Sequence, residues 1–304
     1  MKRAQGFTLI ELSIVLVIIG LIVGGVLVGQ SLIAAAAVRA QISQIERFNT
    51  ATNTFFEKYG GLPGDLPVAP ATQFGFVARN GLPGRGDGNG VIEGWNSAGS
   101  GPYGAFEGKG ETVVFWVDLS TANLIDGSFS TASMGVAPAT VTGSGLTAYY
   151  PQAKIGNGNF VYVWSGGPTL YWSGGSEAGS DNRNYFGLSA VTALGNGNGW
   201  SLFSSPSISV AQAYSIDQKM DDGLPQSGNV FAMYLNGNIP TSFAPTWAGS
   251  GGAVGAPYTT ATTASASTCF DNAGVGGNPQ QYSLEINGGS GVNCALSFRM
   301  QAGD

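Results

Sequence analysis

Three groups of residues in this 304-residue chain have the type and spacing to do chemistry. The first is one carboxylate, Glu11, the only charge between Arg3 and Arg39. A carboxylate inside a bilayer span costs ~2.5–3.5 kcal/mol on insertion scales, so an acid there is read as functional. The second group is oxygen-rich. Asp87 and Asn89 alternate with glycine in Gly86-Asp87-Gly88-Asn89-Gly90, and Glu93 follows. Calcium ligands are hard oxygens that alternate along a loop in this way. An EF-hand loop has a further acid where Val91 stands and its glycine one residue later, so the match is partial; Glu107 and Glu111 are near enough in sequence to complete a site. Asp217, Asp221 and Asp222 form a second acidic set suited to a cation. A glycine turn with an Asx cap explains the first set without metal. A helix end with Lys219 as counterion explains the second. The third group is Cys269 and Cys294.

Other chemistries lack their residues. Without histidine there is no Ser-His-Asp or Cys-His arrangement and no histidine base. No glycine-rich phosphate loop followed by Lys-Ser/Thr occurs. The reading is of a protein that is not an enzyme.

The elements that carry these groups begin with Phe7–Val28, 22 consecutive residues that are nearly all apolar. A bilayer core needs roughly 20 such residues for a helix. Lys2 and Arg3 precede the span, which keeps the N-terminus cytoplasmic and sends the rest across. Val26-Leu27-Val28-Gly29-Gln30 makes a poor secretory cleavage site.

Gly6-Phe7-Thr8-Leu9-Ile10-Glu11-Leu12, between a short basic leader and an apolar helix, resembles the signal of type IV pilins and type II secretion pseudopilins. The resemblance implies that a prepilin peptidase cuts between Gly6 and Phe7 and that the new Phe7 amine is N-methylated. Residues 1–6 are then the leader. Glu11 lies one turn from the new N-terminus, where it pairs with the Phe7 amine of a neighbouring subunit. Such a pair neutralises two groups that are each costly alone in a dry core.

No proline occurs before Pro63 and no glycine between Gly29 and Gly60. Ile42, Ile45, Phe48, Thr52, Phe55 and Tyr59 form a stripe at helical spacing, with Gln44, Arg47, Asn53, Glu57 and Lys58 opposite. One helix is expected over 7–59, with 7–28 in the membrane and 30–59 amphipathic. Gly60 to Pro67 ends it.

Residues 60–304 are expected to form one head. Strands are expected at 112–117, 229–235 and 284–286, a hairpin from 160–164 and 169–172, and helices at 118–125 and 210–219. Tyr149, Tyr150, Trp164 and Trp172 are read as sheet core. The fold class is α+β, an antiparallel sheet packed on the upper half of a long N-terminal helix. The cysteines lie in the translocated part, where oxidation joins them. Two buried thiols are the alternative, and two cysteines without histidine make a poor zinc set. Pilins often carry a C-terminal region bounded by a disulfide.

The functional expectation is a structural subunit of a type IV pilus-like filament, polymerised through its N-terminal helix. Its partners are copies of itself, prepilin peptidase, the membrane and the inner-membrane assembly machinery. It starts as a bacterial inner-membrane precursor with a periplasmic head, and ends in a cell-surface pilus or a periplasmic pseudopilus. A pseudopilin and a minor pilin acting as tip adhesin are the alternatives. Calcium is the one cofactor to consider, since major pseudopilins bind it in the head through loops of this kind. Removing Lys2 and Arg3 leaves ten scattered basic side chains, which disfavours nucleic acid as a partner.

Overall fold

The structure is a computed structural model, and it describes residues 8–94, 109–135, 139–167, 171–173, 176–178, 180–195, 201–238, 245–249 and 258–302. The expected long helix is one 51-residue element, α1 (Leu9–Tyr59). At 1.5 Å per residue it is about 77 Å long. Thr8 caps its start, and Gly60 ends it in the left-handed conformation at φ 79°. Glycine suits that position because it has no Cβ to clash.

The two halves of α1 differ. From Leu9 to Ile33 its large apolar side chains are exposed. An 18-residue window there has mean hydropathy 2.9, enough by length and composition to cross a membrane. A Cβ added at Gly20, Gly24, Gly25 or Gly29 would meet nothing within 4 Å, so no packing inside the subunit explains these glycines. From Val38 onward one face is buried, and Ile45, Phe48 and Phe55 enter the core. Phe48 meets Trp116 edge-on, with ring centroids 4.9 Å apart. Gln44, read as solvent-facing, is buried. It accepts from the Lys154 amide at 3.0 Å and donates to the Gln152 carbonyl at 2.9 Å. Gln41 holds the Ile155 amide at 3.1 Å beside it. Long-range backbone partners outweigh the helical-wheel position here.

Two short helices follow, α2 (Val68–Phe74) and α3 (Glu111–Thr121). The expected strand at 112–117 is therefore helical. Residues Glu111 to Leu119 are buried on every side, and a continuous apolar run does not distinguish a buried strand from a buried helix. Packing against Phe48 and Phe186 decides it. The expected helix at 210–219 is α4 (Val210–Met220), with Ser209 and Gln212 forming a capping box.

The sheet is built around the eleven-residue strand Asn184–Leu194. Asn159–Ser165 and Leu296–Arg299 pair with it antiparallel, with Val163 opposite Phe186 and Phe298 opposite Phe186 in the two registers. Ser201–Ser205 and Val141–Thr142 pair with its far end. The expected hairpin is corrected. Asn159–Ser165 pairs with Asn184–Leu194, and Tyr171–Ser173 pairs with Ser176–Ala178. All seven residues of Asn159–Ser165 are buried, so both faces of this strand are covered, with α3 among the elements against it. The 229–235 strand is split at Ala232, whose amide donates to the Pro225 carbonyl. Val230–Phe231 joins the main sheet and Met233–Tyr234 pairs with Thr246–Trp247. No strand forms at 284–286; a short 3-10 turn follows at Asn287–Gly289. Tyr149, Tyr150 and Trp164 are core residues, as expected; the side chain of Trp172 is outside the described residues. The whole is an α+β, pilin-like architecture, a long apolar helix followed by an antiparallel sheet.

Candidate functional site

Gly6 and Phe7 lie outside the described residues. Glu11 is in the first turn of α1, four residues beyond Phe7. One of its oxygens, Oε2, accepts the Thr8 amide and the Thr8 hydroxyl, each at 2.8 Å. The Glu11 amide donates back to Thr8 Oγ1 at 3.3 Å. This reciprocal box satisfies backbone donors that a helix start leaves open.

The glycine-rich loop is organised by carboxylates from elsewhere. Gly86 donates to Glu111 Oε1 at 2.7 Å, Gly88 to Asp65 Oδ1 at 2.7 Å and Gly90 to Asp65 Oδ2 at 2.8 Å. Gly84 donates to Glu93 at 3.1 Å, and the Glu93 amide to Glu111 Oε2 at 2.8 Å. The alternation of glycine therefore aims every second amide at an acid. Positive φ at Gly84, Gly86, Gly88 and Gly90 is what allows this. At Gly86 a Cβ would also lie 2.5 Å from Arg79 Cδ and 2.7 Å from the Leu66 carbonyl oxygen.

The carboxylates that meet are Asp65, Asp87 and Glu111, with one ligand atom of each within 4.8 Å of the others. Of the residues named from sequence, Asp87 and Glu111 are in this set. Asn89 is spent on its own turn, accepting the Val91 amide at 2.7 Å. Glu93 is buried next to Glu111, and Glu107 lies outside the described residues. Asp65 was hidden in the sequence as part of a helix stop, between Pro63 and Pro67. Its signal was an acid inside an otherwise apolar turn.

Burial sets the chemistry of this cluster. It pushes the Asp65 carboxyl up to about 7, helped by the Asp87 charge and opposed by the Gly90 and Gly88 amides. Burial, then the Asp65 charge, holds Glu111 well above the usual range, against the Glu93 and Gly86 amides. Close carboxylates out of water cannot all ionise unaided, so they hold a proton or a cation. The donor set is carboxylate oxygen throughout, which fits calcium. Beside it, Arg79 and Asp118 form a fully buried ion pair. Burial pushes Asp118 up to about 6 in spite of Arg79.

Asp217, Asp221 and Asp222 also come together, with ligand atoms within 4.8 Å of one another. Each is tied to the loop after α4. Asp217 accepts the Gly223 amide at 3.2 Å and the Tyr282 hydroxyl at 2.7 Å. Asp222 accepts the Leu224 amide at 2.8 Å, and Asp221 accepts from the Asn229 amide. Burial pushes Asp217 up to about 7, and the Asp222 and Asp221 charges add to it. A Cβ at Gly228 would sit 1.7 Å from Asp221 Oδ2, so glycine is required for this approach.

Cys269 and Cys294 are joined, with Cα atoms 5.0 Å apart. Both are fully buried. The bond ties the Phe270–Asp271 segment to the chain entering the last strand, where Ile208 and Cys294 form a bridge.

No curated protein and no solved structure matches the chain. Residues 1–27 match the family described as the prokaryotic N-terminal methylation motif. With α1 and the antiparallel sheet behind it, that match marks a pilin-like chain carrying the signal of type IV pilins and pseudopilins.

Proposed function

We propose that this chain is a structural subunit of a type IV pilus-like filament, cut after Gly6 and polymerised through α1. The observation that carries the reading is Glu11, inside the matched methylation motif, on a helix whose apolar side chains from Leu9 to Ile33 find no partner inside the subunit. In the membrane that helix is solvated by lipid. In a filament it is solvated by copies of itself, and the Phe7 amine of one subunit neutralises Glu11 of the next. The glycines of the lower half let helices approach closely. The machinery that extracts the subunit is the inner-membrane assembly platform. The head faces the periplasm first and the cell surface afterwards.

The test is Glu11→Ala in the full chain. The variant is processed and inserted but yields few or no sheared filaments. Normal filaments from it would remove the pairing role.

We infer that the head also binds calcium, with Asp65, Asp87 and Glu111 as the leading donor set and Asp217, Asp221 and Asp222 as the second. The ion's contribution is charge neutralisation that fixes the loops. Support comes from the two buried acids Asp65 and Glu111, which have no room to stay ionised side by side. A calcium-dependent head also favours the pseudopilin as second reading, a subunit that remains periplasmic. Terbium luminescence on the purified chain, lost in Glu111→Gln, checks the site.

A further inference from the structure

We propose that Asn89-Gly90 is a self-modification site, where the glycine-rich loop converts Asn89 to aspartate or isoaspartate with loss of ammonia. The site stands apart from the filament and calcium readings, because it uses only contacts between the loop and Asp65. An Asn-Gly step reacts when the glycine nitrogen attacks the asparagine side-chain carbonyl and closes a succinimide ring. A peptide nitrogen is a weak nucleophile while it keeps its proton, and an amide NH2 leaves poorly. Each reacting atom has a partner here. The Gly90 amide donates to Asp65 Oδ2 at 2.8 Å, so a base touches the nucleophile. Asn89 Oδ1, where negative charge develops, accepts the Val91 amide at 2.7 Å. Asn89 Nδ2, the leaving nitrogen, donates to Asp87 Oδ2 at 3.2 Å, so a carboxylate faces the atom that becomes positive as it departs. The Gly90 carbonyl accepts Asn184 Nδ2 at 2.9 Å, which holds the peptide in place. Asn89 is exposed, so water reaches the ring.

The reaction has two steps. In the first, a bond forms between the Gly90 nitrogen and Asn89 Cγ, and the bond from Cγ to Nδ2 breaks. The Gly90 proton passes to Asp65 and then through solvent to the leaving nitrogen, which departs as ammonia. In the second, water opens the succinimide. Its hydroxyl adds to Cγ, giving aspartate, or to the backbone carbonyl carbon of residue 89, giving isoaspartate, and its proton returns to the Gly90 nitrogen. The product places a carboxylate where an NH2 donor faced Asp87, so the loop gains a charge and loses a hydrogen bond. The same head carries its own control in Asn80-Gly81. Asn80 is exposed, its Oδ1 accepts the Leu82 amide at 3.2 Å, and Gly81 has positive φ, as Gly90 does. Among the described residues no carboxylate accepts the Gly81 amide.

The experiment ages the full chain, purified in detergent, at pH 7.5 in chelator, so that no cation competes for Asp65. Peptide mass spectra follow the asparagine, aspartate and isoaspartate forms at positions 89 and 80, in folded protein and in urea. The folded chain converts Asn89 about a hundredfold faster than Asn80, the lower end of what a positioned acid–base group contributes. Urea brings the two rates together. Asp65→Asn slows conversion of Asn89 in the folded chain and leaves that of Asn80 unchanged. Equal rates at the two positions of the folded chain overturn the proposal, and so does a rate at Asn89 that rises in urea, since the fold would then protect the step. A folded Asp65→Asn chain with an undiminished rate at Asn89 overturns it as well. If that variant fails to fold, the comparison of Asn89 with Asn80 in the unsubstituted chain, with and without urea, still decides the matter.

Discussion

Asp65 and Glu111 bring carboxylate oxygens within 4.8 Å of each other beneath the glycine-rich loop, one from the turn that ends α1 and the other from the first turn of α3. Between them they hold the amides of Gly86, Gly88, Gly90 and Glu93. Three segments that are separate in sequence are thereby fixed to one another at the point where stalk becomes head.

This pairing makes stability depend on pH. In the unfolded chain Asp65 and Asp217 release their protons near 3.8, and in the folded head they hold them to about 7. Asp118 holds its own to about 6. Between those limits the native state binds more protons, so stability falls as pH rises. Urea unfolding in chelator shows the contribution of these carboxyls complete below about pH 4, declining above it and levelling off above about pH 7. The slope is at most ~1.4 kcal/mol per pH unit for each carboxyl that is losing its proton. Asp65→Asn makes the profile shallower.

The proposed calcium binding predicts an effect opposed to that decline. At pH 7.5 millimolar calcium raises the thermal midpoint, and a chelator reverses the rise. The gain at 100 times Kd is about 2.7 kcal/mol. At pH 4.5 the ion has little effect, because protons hold the same carboxylates. Differential scanning fluorimetry at the two pH values reads both arms.

Phe48→Ala separates stalk docking from membrane insertion. Phe48 lies between Trp116 and Phe186 and is nearly inaccessible. Its removal costs about 3–5 kcal/mol. Trp fluorescence shows an earlier urea transition, while fractionation shows the same membrane content.

Cys294→Ser destabilises the head by about 2–5 kcal/mol. Protease nicking of the oxidised protein shows increased cleavage after residue 258. Unchanged unfolding under oxidising conditions would argue that the bond adds nothing.

The sequence made α1 legible almost to the residue, because its limits rest on local signals. Thr8 and Glu11 form the start, glycine and proline form the stop, and no proline intervenes. The capping box of α4 was equally local. The pairing of Cys269 with Cys294 followed from their being the only two cysteines. Partnership over distance was not legible. Helix α3 reads as a strand because Val113, Val114, Phe115, Trp116 and Val117 favour sheets, and only burial by α1 and the sheet makes them helical. The site was half legible for the same reason. Asp87 and the triad of Asp217, Asp221 and Asp222 stood out by spacing, while Asp65 joins Asp87 only through the fold.

The most direct test of the central claim is a mass spectrum of the N-terminal peptide, taken separately from sheared surface material and from membranes. The filament account predicts a peptide beginning at a methylated Phe7 in the sheared fraction. The same peptide found only with membranes assigns the chain to a pseudopilus or a rare subunit. An intact Met1 in both fractions contradicts processing, and with it the account of assembly through Phe7 and Glu11.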